Sequence, residues 1–163
     1  MMQQRYSHIT DELLRPVASF EMMVTQALRG LKPYAQLPDE QIDAIGGQCG
    51  TAEIEAAILW LDTLARDREA VEDWNRPALK EILRLQDLLY RILSCVPARH
   101  FASVAAGLES PEWRTRIHVA LALDTLDRRA AEPYLRQALA REKDDQAGQV
   151  IVLALARAES ESA

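Results

Sequence analysis

The sequence predicts an all-α protein, and three observations support this fold class. Glycine is rare, at 6 of 163 residues, and helix-favouring residues outnumber β-branched ones. Apolar residues recur at helical spacing, and no run alternates with the two-residue period of a strand. A pattern of paired apolar helices separated by a polar turn is repeated in the last third of the chain. We therefore expect one domain, residues 1–163, with about seven helices.

Capping residues and helix breakers set the expected elements of the N-terminal half. Thr10 is expected to cap the first helix, which ends at Gly30. A short helical segment over residues 40–45 is followed by a glycine-rich break at 46–50. Thr51 is then expected to cap a long helix with an apolar stripe.

The acidic side chains Glu53, Glu55 and Asp62 are expected on the solvent face of that long helix. The next helix begins at Asn75 and Pro77 and is apolar on more than one face. Such a helix is expected to be central, with neighbours on two sides.

Residues 98–108 predict a short helix, and a longer one follows after Ser110. Ser110 is expected as its N-cap, with Pro111 at the first helical position and an end near Leu126. Polar residues around 127–129 then turn the chain.

The last two elements are also bounded by proline and charge. Pro133 is expected to start a helix that ends near Arg141. A final helix covers about residues 146–158, and residues 159–163 form a polar, frayed tail.

Residues 116–139 carry an ordered set of features: an early arginine, an Ala-Leu-x-x-Leu ending, a turn, a proline and a Leu-x-x-Ala-Leu helix. In order, these positions are Arg116, Ala122, Leu123, Leu126, Pro133, Leu135, Ala138 and Leu139. The set resembles the HEAT-like repeat in the form found in phycobilisome-lyase-type bacterial proteins. The resemblance implies a helical-repeat solenoid with an open curved face for a partner.

The resemblance covers about two repeats, over residues 98–158. The second unit keeps Ala154 and Leu155, but Gly148 stands where the arginine is usual and Ala158 where a leucine is usual. We therefore divide the chain into an N-terminal lobe, residues 1–96, and HEAT-like repeats, residues 97–158. The lobe is either a set of degenerate repeats or an irregular helical cap.

Composition and motifs argue against several functions. The formal net charge of −6 disfavours nucleic-acid binding. The two cysteines, Cys49 and Cys95, form no disulfide framework, and together with the lack of a signal or membrane segment they predict a cytoplasmic protein. Cys49 is expected to be exposed in the glycine-rich break.

No metal, cofactor or catalytic site is predicted. Cys95 and His100 lack zinc-ligand spacing, and the glycine-rich segment at 46–51 lacks the lysine of a phosphate-binding loop. No histidine lies near Cys49 in sequence to act as its base.

The sequence therefore predicts a non-catalytic adaptor or assembly factor that binds a protein partner. We expect the partner-binding residues to be Trp113, Arg114, Arg116 and His118. The alternative for the two arginines is structural, as a pair with Glu112 or a contact to a neighbouring repeat turn.

Two further functions remain open. HEAT-like relatives include tetrapyrrole-handling lyase types and DNA glycosylases, which implies an enzyme or enzyme accessory as one alternative. The other is a plain helical bundle that self-associates as a homo-oligomer.

Overall fold

A computed structural model describes residues 19–162, and every regular element in that range is helical. The all-α prediction is confirmed. The expected start of the first helix at Thr10 lies outside the described residues. The helices are α1 (19–28), α2 (Asp39–Gln48), α3 (Thr51–Ala70), α4 (Arg76–Leu93), α5 (Phe101–Ala105), α6 (Trp113–Leu126), α7 (Arg128–Arg141) and α8 (Asp145–Ser162). Single 3₁₀ turns, Ala98–His100 and Ala106–Glu109, flank α5.

Helix α2 corrects the predicted glycine-rich break, because it continues through Gly46 and Gly47. Gly46 lies against the end of α4, where an added Cβ would be 2.6 Å from the Cβ of Cys95 and 2.9 Å from the carbonyl oxygen of Ile92. Only a glycine permits this approach, so packing against α4 holds a poor helix former in helical geometry.

Cys49 is buried, not exposed as expected, with 2% of its surface accessible. Its Sγ donates a hydrogen bond to the carbonyl oxygen of Ile45 at 3.3 Å. Burial, reinforced by the nearby Glu53 carboxylate, raises the pKa of this thiol to about 12. The thiol is therefore protonated near neutral pH and is a poor nucleophile.

The starts of α3 and α4 differ in how well the sequence predicts them. Thr51 is the first residue of α3 and not its cap; the cap is Gly50, whose N–H donates to the Glu53 carboxylate at 3.0 Å. For α4 the prediction is confirmed, because the Asn75 side chain accepts from the N–H of Ala78.

Helix α4 is central, as predicted, since it packs against α2, α3 and α6. Its fully buried apolar side chains are Leu88, Leu89, Ile92 and Leu93.

Two predicted helix starts in the C-terminal half are wrong. Helix α6 begins at Trp113 with Glu112 as N-cap, because the backbone of Glu112 is extended, so the bond from its N–H to the Ser110 hydroxyl lies before the helix. Helix α7 begins five residues before Pro133, at Arg128, because the Asp127 carboxylate caps it through the N–H of Ala130. Pro133 therefore lies inside the helix.

The expected polar tail is also corrected, because α8 continues as helix to Ser162. Buried Leu135 of α7 and buried Ile151 and Ala158 of α8 belong to the packed interior. In the exposed final turn, Glu159 and Glu161 form ion pairs with Arg136 and Arg128 of α7, which hold that turn against α7.

The helices are arranged in two rows, in each of which neighbouring helices contact one another. Helix α6 contacts both α4 and α8, while α5 contacts α3 and the 3₁₀ turn after α5 contacts α7. One continuous apolar core extends from Phe20 to Leu155. The short α5 thus lies between two longer helices, α3 and α7, and this arrangement creates the clefts described below.

Candidate docking surface around α5

The four predicted partner-binding residues all lie on the first two turns of α6, and each is half-buried. The guanidinium of Arg114 stacks over the Trp113 ring at 4.2 Å from its centroid. Arg114 also forms an ion pair with Glu69 of α3. Arg114 therefore links α6 to α3, and the stacked Trp113 and Arg114 side chains remain partly exposed.

Arg116 forms the most extensive polar contact of the four. It binds both carboxylate oxygens of Glu142 at 2.7 and 2.8 Å and donates to the carbonyl oxygen of Ser110 at 2.8 Å. Glu142 also accepts from the backbone N–H groups of Lys143 and Asp144, at 3.0 and 2.9 Å.

These hydrogen bonds stabilise both charged groups. The bond to Arg116 holds the pKa of Glu142 below its usual range, and the bond to Glu142 raises the pKa of Arg116. The structural role predicted for Arg116 agrees with this contact, which reaches the turn between α7 and α8. Glu112, the other predicted partner of Arg116, lies 3.5 Å from Arg66, and its charge also raises the pKa of Arg116, less than Glu142 does.

His118 also forms its contacts with other residues of the protein. Its Nδ1 lies 2.8 Å from the carbonyl oxygen of Arg114, and its ring is 6.5 Å from that of Tyr90. Burial lowers the pKa of His118, so the ring is neutral at pH 7. Since a carbonyl only accepts, Nδ1 carries the proton of the neutral ring.

A concave surface made of three adjoining cavities lies around α5. On its α3 side is a cavity of about 400 Å³, which we call the α3 cleft. On its α7 side are adjoining cavities of about 440 and 270 Å³, which we call the α7 cleft. Glu109 lines all three cavities, so the two clefts adjoin and together form what we call the α5 groove. Of the four predicted residues, only Arg116 lines it.

The α3 cleft has an apolar floor and an acidic rim. Its apolar residues include Ile58, Ala106 and Gly107, and the side of Leu59, which is 53% exposed. An added Cβ on Gly107 would be 2.6 Å from Val119 and 3.0 Å from Ile58, so glycine is needed for the close packing of the floor. The cleft is lined by three carboxylates and no basic side chain.

Asp62 is the buried member of that acidic rim, with 7% of its surface exposed. It accepts a short hydrogen bond of 2.6 Å from the Ser110 hydroxyl, whose oxygen accepts from the N–H of Glu112 at 3.0 Å. No ion pair is formed by Asp62 with any residue in the range 19–162. Its negative charge therefore has a hydrogen-bond donor but no counter-charge.

The α7 cleft is more polar, and four of its five charged side chains are paired, the exception being Lys143. Arg116 and Glu142 neutralise each other, and Glu109 lies 3.2 Å from Arg141. Tyr134, 38% exposed, contributes an aromatic edge and contacts the Phe101 ring at 5.7 Å between centroids.

A separate apolar surface lies on α8. Val152 and Leu153 are 49% and 59% exposed, and they line a cavity of about 620 Å³ together with Leu139 and Gly148. The segment 146–156 contains no charged residue in a chain that is 27% charged. We call this surface the α8 face.

Sequence reasoning missed the groove residues Leu59, Asp62 and Tyr134. The expectation that Asp62 faces solvent is wrong. Asp62 is four residues after Ile58 and three before buried Ala65, so helical spacing already placed it near the apolar stripe. The exposure of Leu59 and Tyr134 depends on which helices lie beside the short α5 segment, which no local pattern encodes.

Within the described part of the chain, no group of three His, Cys, Asp or Glu side chains could hold a metal ion. No described helix is long and apolar enough to cross a membrane. Comparison with protein-family models, curated proteins and solved structures found no match.

Proposed function

We propose that the protein is a non-catalytic docking scaffold that binds a protein partner in the α5 groove. The observation that carries the proposal is that the α3 and α7 clefts adjoin around α5, with partly exposed Leu59 and Tyr134 on either side. Concave apolar surfaces with a few polar groups are typical binding sites. Large exposed side chains beside such a surface are suited to anchor a partner.

The proposal includes a HEAT-like stacking of the helices. Its support is the contact of α6 with both α4 and α8, and of the α5 segment with both α3 and α7. Matched repeat positions are buried, including Ala122, Leu123, Leu135, Ala138 and Ala154. Arg116 connects successive units through Glu142, which precedes α8. Repeat stacks of this kind use an extended concave face for binding.

The test is affinity capture from the native organism, followed by direct binding with the purified partner. A Leu59→Asp, Tyr134→Asp double variant should lose capture, because a charge is introduced on each side of the groove. Leu83→Asp is the matched control, since Leu83 is 40% exposed on α4 and lies outside the groove. Equal capture by the double variant and the wild type would overturn the proposal.

The same assay separates the groove from the surface predicted from sequence. Trp113→Ala with His118→Ala removes two side chains of that surface and leaves the groove lining unchanged. Loss of capture in this variant, with retention in the groove variant, would assign docking to the start of α6.

A second candidate function is self-association through the α8 face. Exposed, adjacent Val152 and Leu153 beside an apolar cavity favour it, because contiguous exposed apolar surface marks interaction sites. Light scattering over a range of concentrations should show a dimer that Val152→Asp abolishes and Leu83→Asp leaves intact. A monomer at every concentration would exclude this function.

A further inference from the structure

We propose that the α3 cleft binds an arginine of the partner at Asp62, with an aliphatic side chain of the same partner segment packed on Leu59. This inference rests on the proposed docking function and specifies the chemistry of the partner. It begins from the two features that the α3 cleft combines: an apolar floor and three carboxylates, of which only Glu109 forms an ion pair with a described residue.

The first step concerns charge. Asp62 is 7% exposed and its only hydrogen-bond donor among the described residues is the Ser110 hydroxyl. Buried carboxylates in proteins are normally paired with a cation, because a hydroxyl does not offset the desolvation of a full charge. A cation supplied by a partner would provide the missing counter-charge.

The second step concerns the surroundings of Asp62. Glu55 also lines the cleft and forms no ion pair with any residue in 19–162. Glu109 is paired only with Arg141, and both side chains are more than half exposed, so that pair adds little. The cleft is therefore complementary to a positively charged group.

The third step concerns spacing along α3. Glu55, Leu59 and Asp62 follow one another at intervals of four and three residues, which places them on one helix face. The two carboxylates flank exposed Leu59 and are separated by roughly 10 Å along the helix axis. A partner segment with a basic, an aliphatic and a second basic side chain at one-turn intervals matches this row.

Arginine fits better than lysine at Asp62. The guanidinium is planar, is less strongly hydrated than an ammonium, and can donate two parallel hydrogen bonds to one carboxylate. Its methylene groups can also pack against the apolar floor formed by Ile58 and Ala106.

The experiment titrates the isotope-labelled full chain with an alanine-based helical peptide and follows amide resonances by NMR. The peptide carries arginine, leucine and arginine at the spacing of Glu55, Leu59 and Asp62. A second peptide replaces both arginines with citrulline, which is nearly isosteric but neutral. The arginine peptide should shift resonances of residues 55–62 and 103–110 and bind about tenfold more tightly than the citrulline peptide.

Variants locate the effect. Asp62→Asn should weaken binding of the arginine peptide about tenfold, because the amide keeps the Ser110 bond but loses the charge. Asp67→Asn, an exposed carboxylate on the same helix, should leave binding unchanged. Equal affinity for the two peptides, or an Asp62→Asn variant that binds like the wild type, would overturn the inference.

Failure of the arginine assignment is distinguishable from failure of the docking function. If capture of the native partner depends on Leu59 and Tyr134 while the arginine peptide does not bind, the groove docks a partner by other chemistry and only the arginine assignment is overturned. If neither capture of the native partner nor binding of the arginine peptide depends on the groove, the docking function itself fails.

Discussion

Asp62 and Glu142 are two nearly buried carboxylates, one in the cleft on each side of α5, and their surroundings differ. Glu142, with 3% of its side chain exposed, holds both ends of the Arg116 guanidinium and accepts from two backbone N–H groups. Asp62, with 7% of its surface exposed, accepts from one hydroxyl. The internal pairing of Glu142 makes it a structural joint between α6 and the turn before α8. The unpaired charge of Asp62 leaves the α3 cleft available to an external cation.

The largest expected effect on stability comes from removing the ion pair between Arg116 and Glu142. Arg116→Met would leave Glu142 buried beside an apolar side chain, and we expect a loss of about 2–4 kcal/mol in the free energy of unfolding. Urea denaturation followed by circular dichroism measures it. Arg129→Met is the control, because Arg129 is exposed at the start of α7, and it should change stability by no more than about 0.5 kcal/mol. A similar small loss in both variants would mean that the joint is not structural.

A methyl group at the floor of the α3 cleft should have the next largest effect. Gly107→Ala places a Cβ 2.6 Å from Val119, so the core must shift and we expect a loss of about 1–3 kcal/mol. Gly47→Ala in α2 is the matched control, because nothing lies within 4 Å of an added Cβ there. It should gain about 0.5–1 kcal/mol from helix propensity. A stabilising Gly107→Ala change in the same urea assay would contradict the packing described.

The dependence of stability on pH tests the role of the pair between Glu142 and Arg116. The pKa of Glu142 is lowered in the folded state, mainly by its bond to Arg116. Its contribution is therefore complete above the ordinary glutamate pKa, about 4.3, and is lost as the pH falls through the lower folded value. The thermal midpoint of the wild type should fall more steeply on acidification below about pH 5 than that of Glu142→Gln. Parallel acid profiles of the two proteins would show that Glu142 does not carry this linkage.

The smallest effect is expected at Asp62. Asp62→Asn keeps an oxygen to accept the Ser110 hydrogen bond and removes a buried charge that has no partner, so stability should change by no more than about 1 kcal/mol. Thermal unfolding at neutral pH measures this change. A loss as large as that of Arg116→Met would mean that Asp62 has a structural role equal to that of Glu142.

Particular residues show how far the sequence could predict this architecture. Asn75 was correctly predicted as a cap, because its side chain bonds locally to Ala78. The predicted start of α7 at Pro133 was wrong because Asp127, a stronger local cap, begins the helix one turn earlier. The predicted break at Gly46 was wrong because the end of α4, far away in sequence, covers it closely.

The candidate site was predictable only in part. Arg116, singled out from sequence as the early arginine of a predicted repeat, lies in the groove, but its pairing with Glu142 joins α6 to the turn after α7. The spacing of Asp62 from Ile58 and Ala65 along α3 indicated that its side chain would be buried. The groove itself had no such signal, because it depends on the placement of the short α5 between α3 and α7, which are distant from each other in sequence.

The sequence by itself determined that this chain is helical and where its apolar stripes lie, because helix propensity, spacing and capping act over a few neighbouring residues. Tertiary structure alone decided which polar groups are neutralised and which surfaces stay open. Arg116 meets Glu142, Gly46 fits under α4, and Asp62 is buried without a cation, because residues distant in the chain approach one another only after the helices pack.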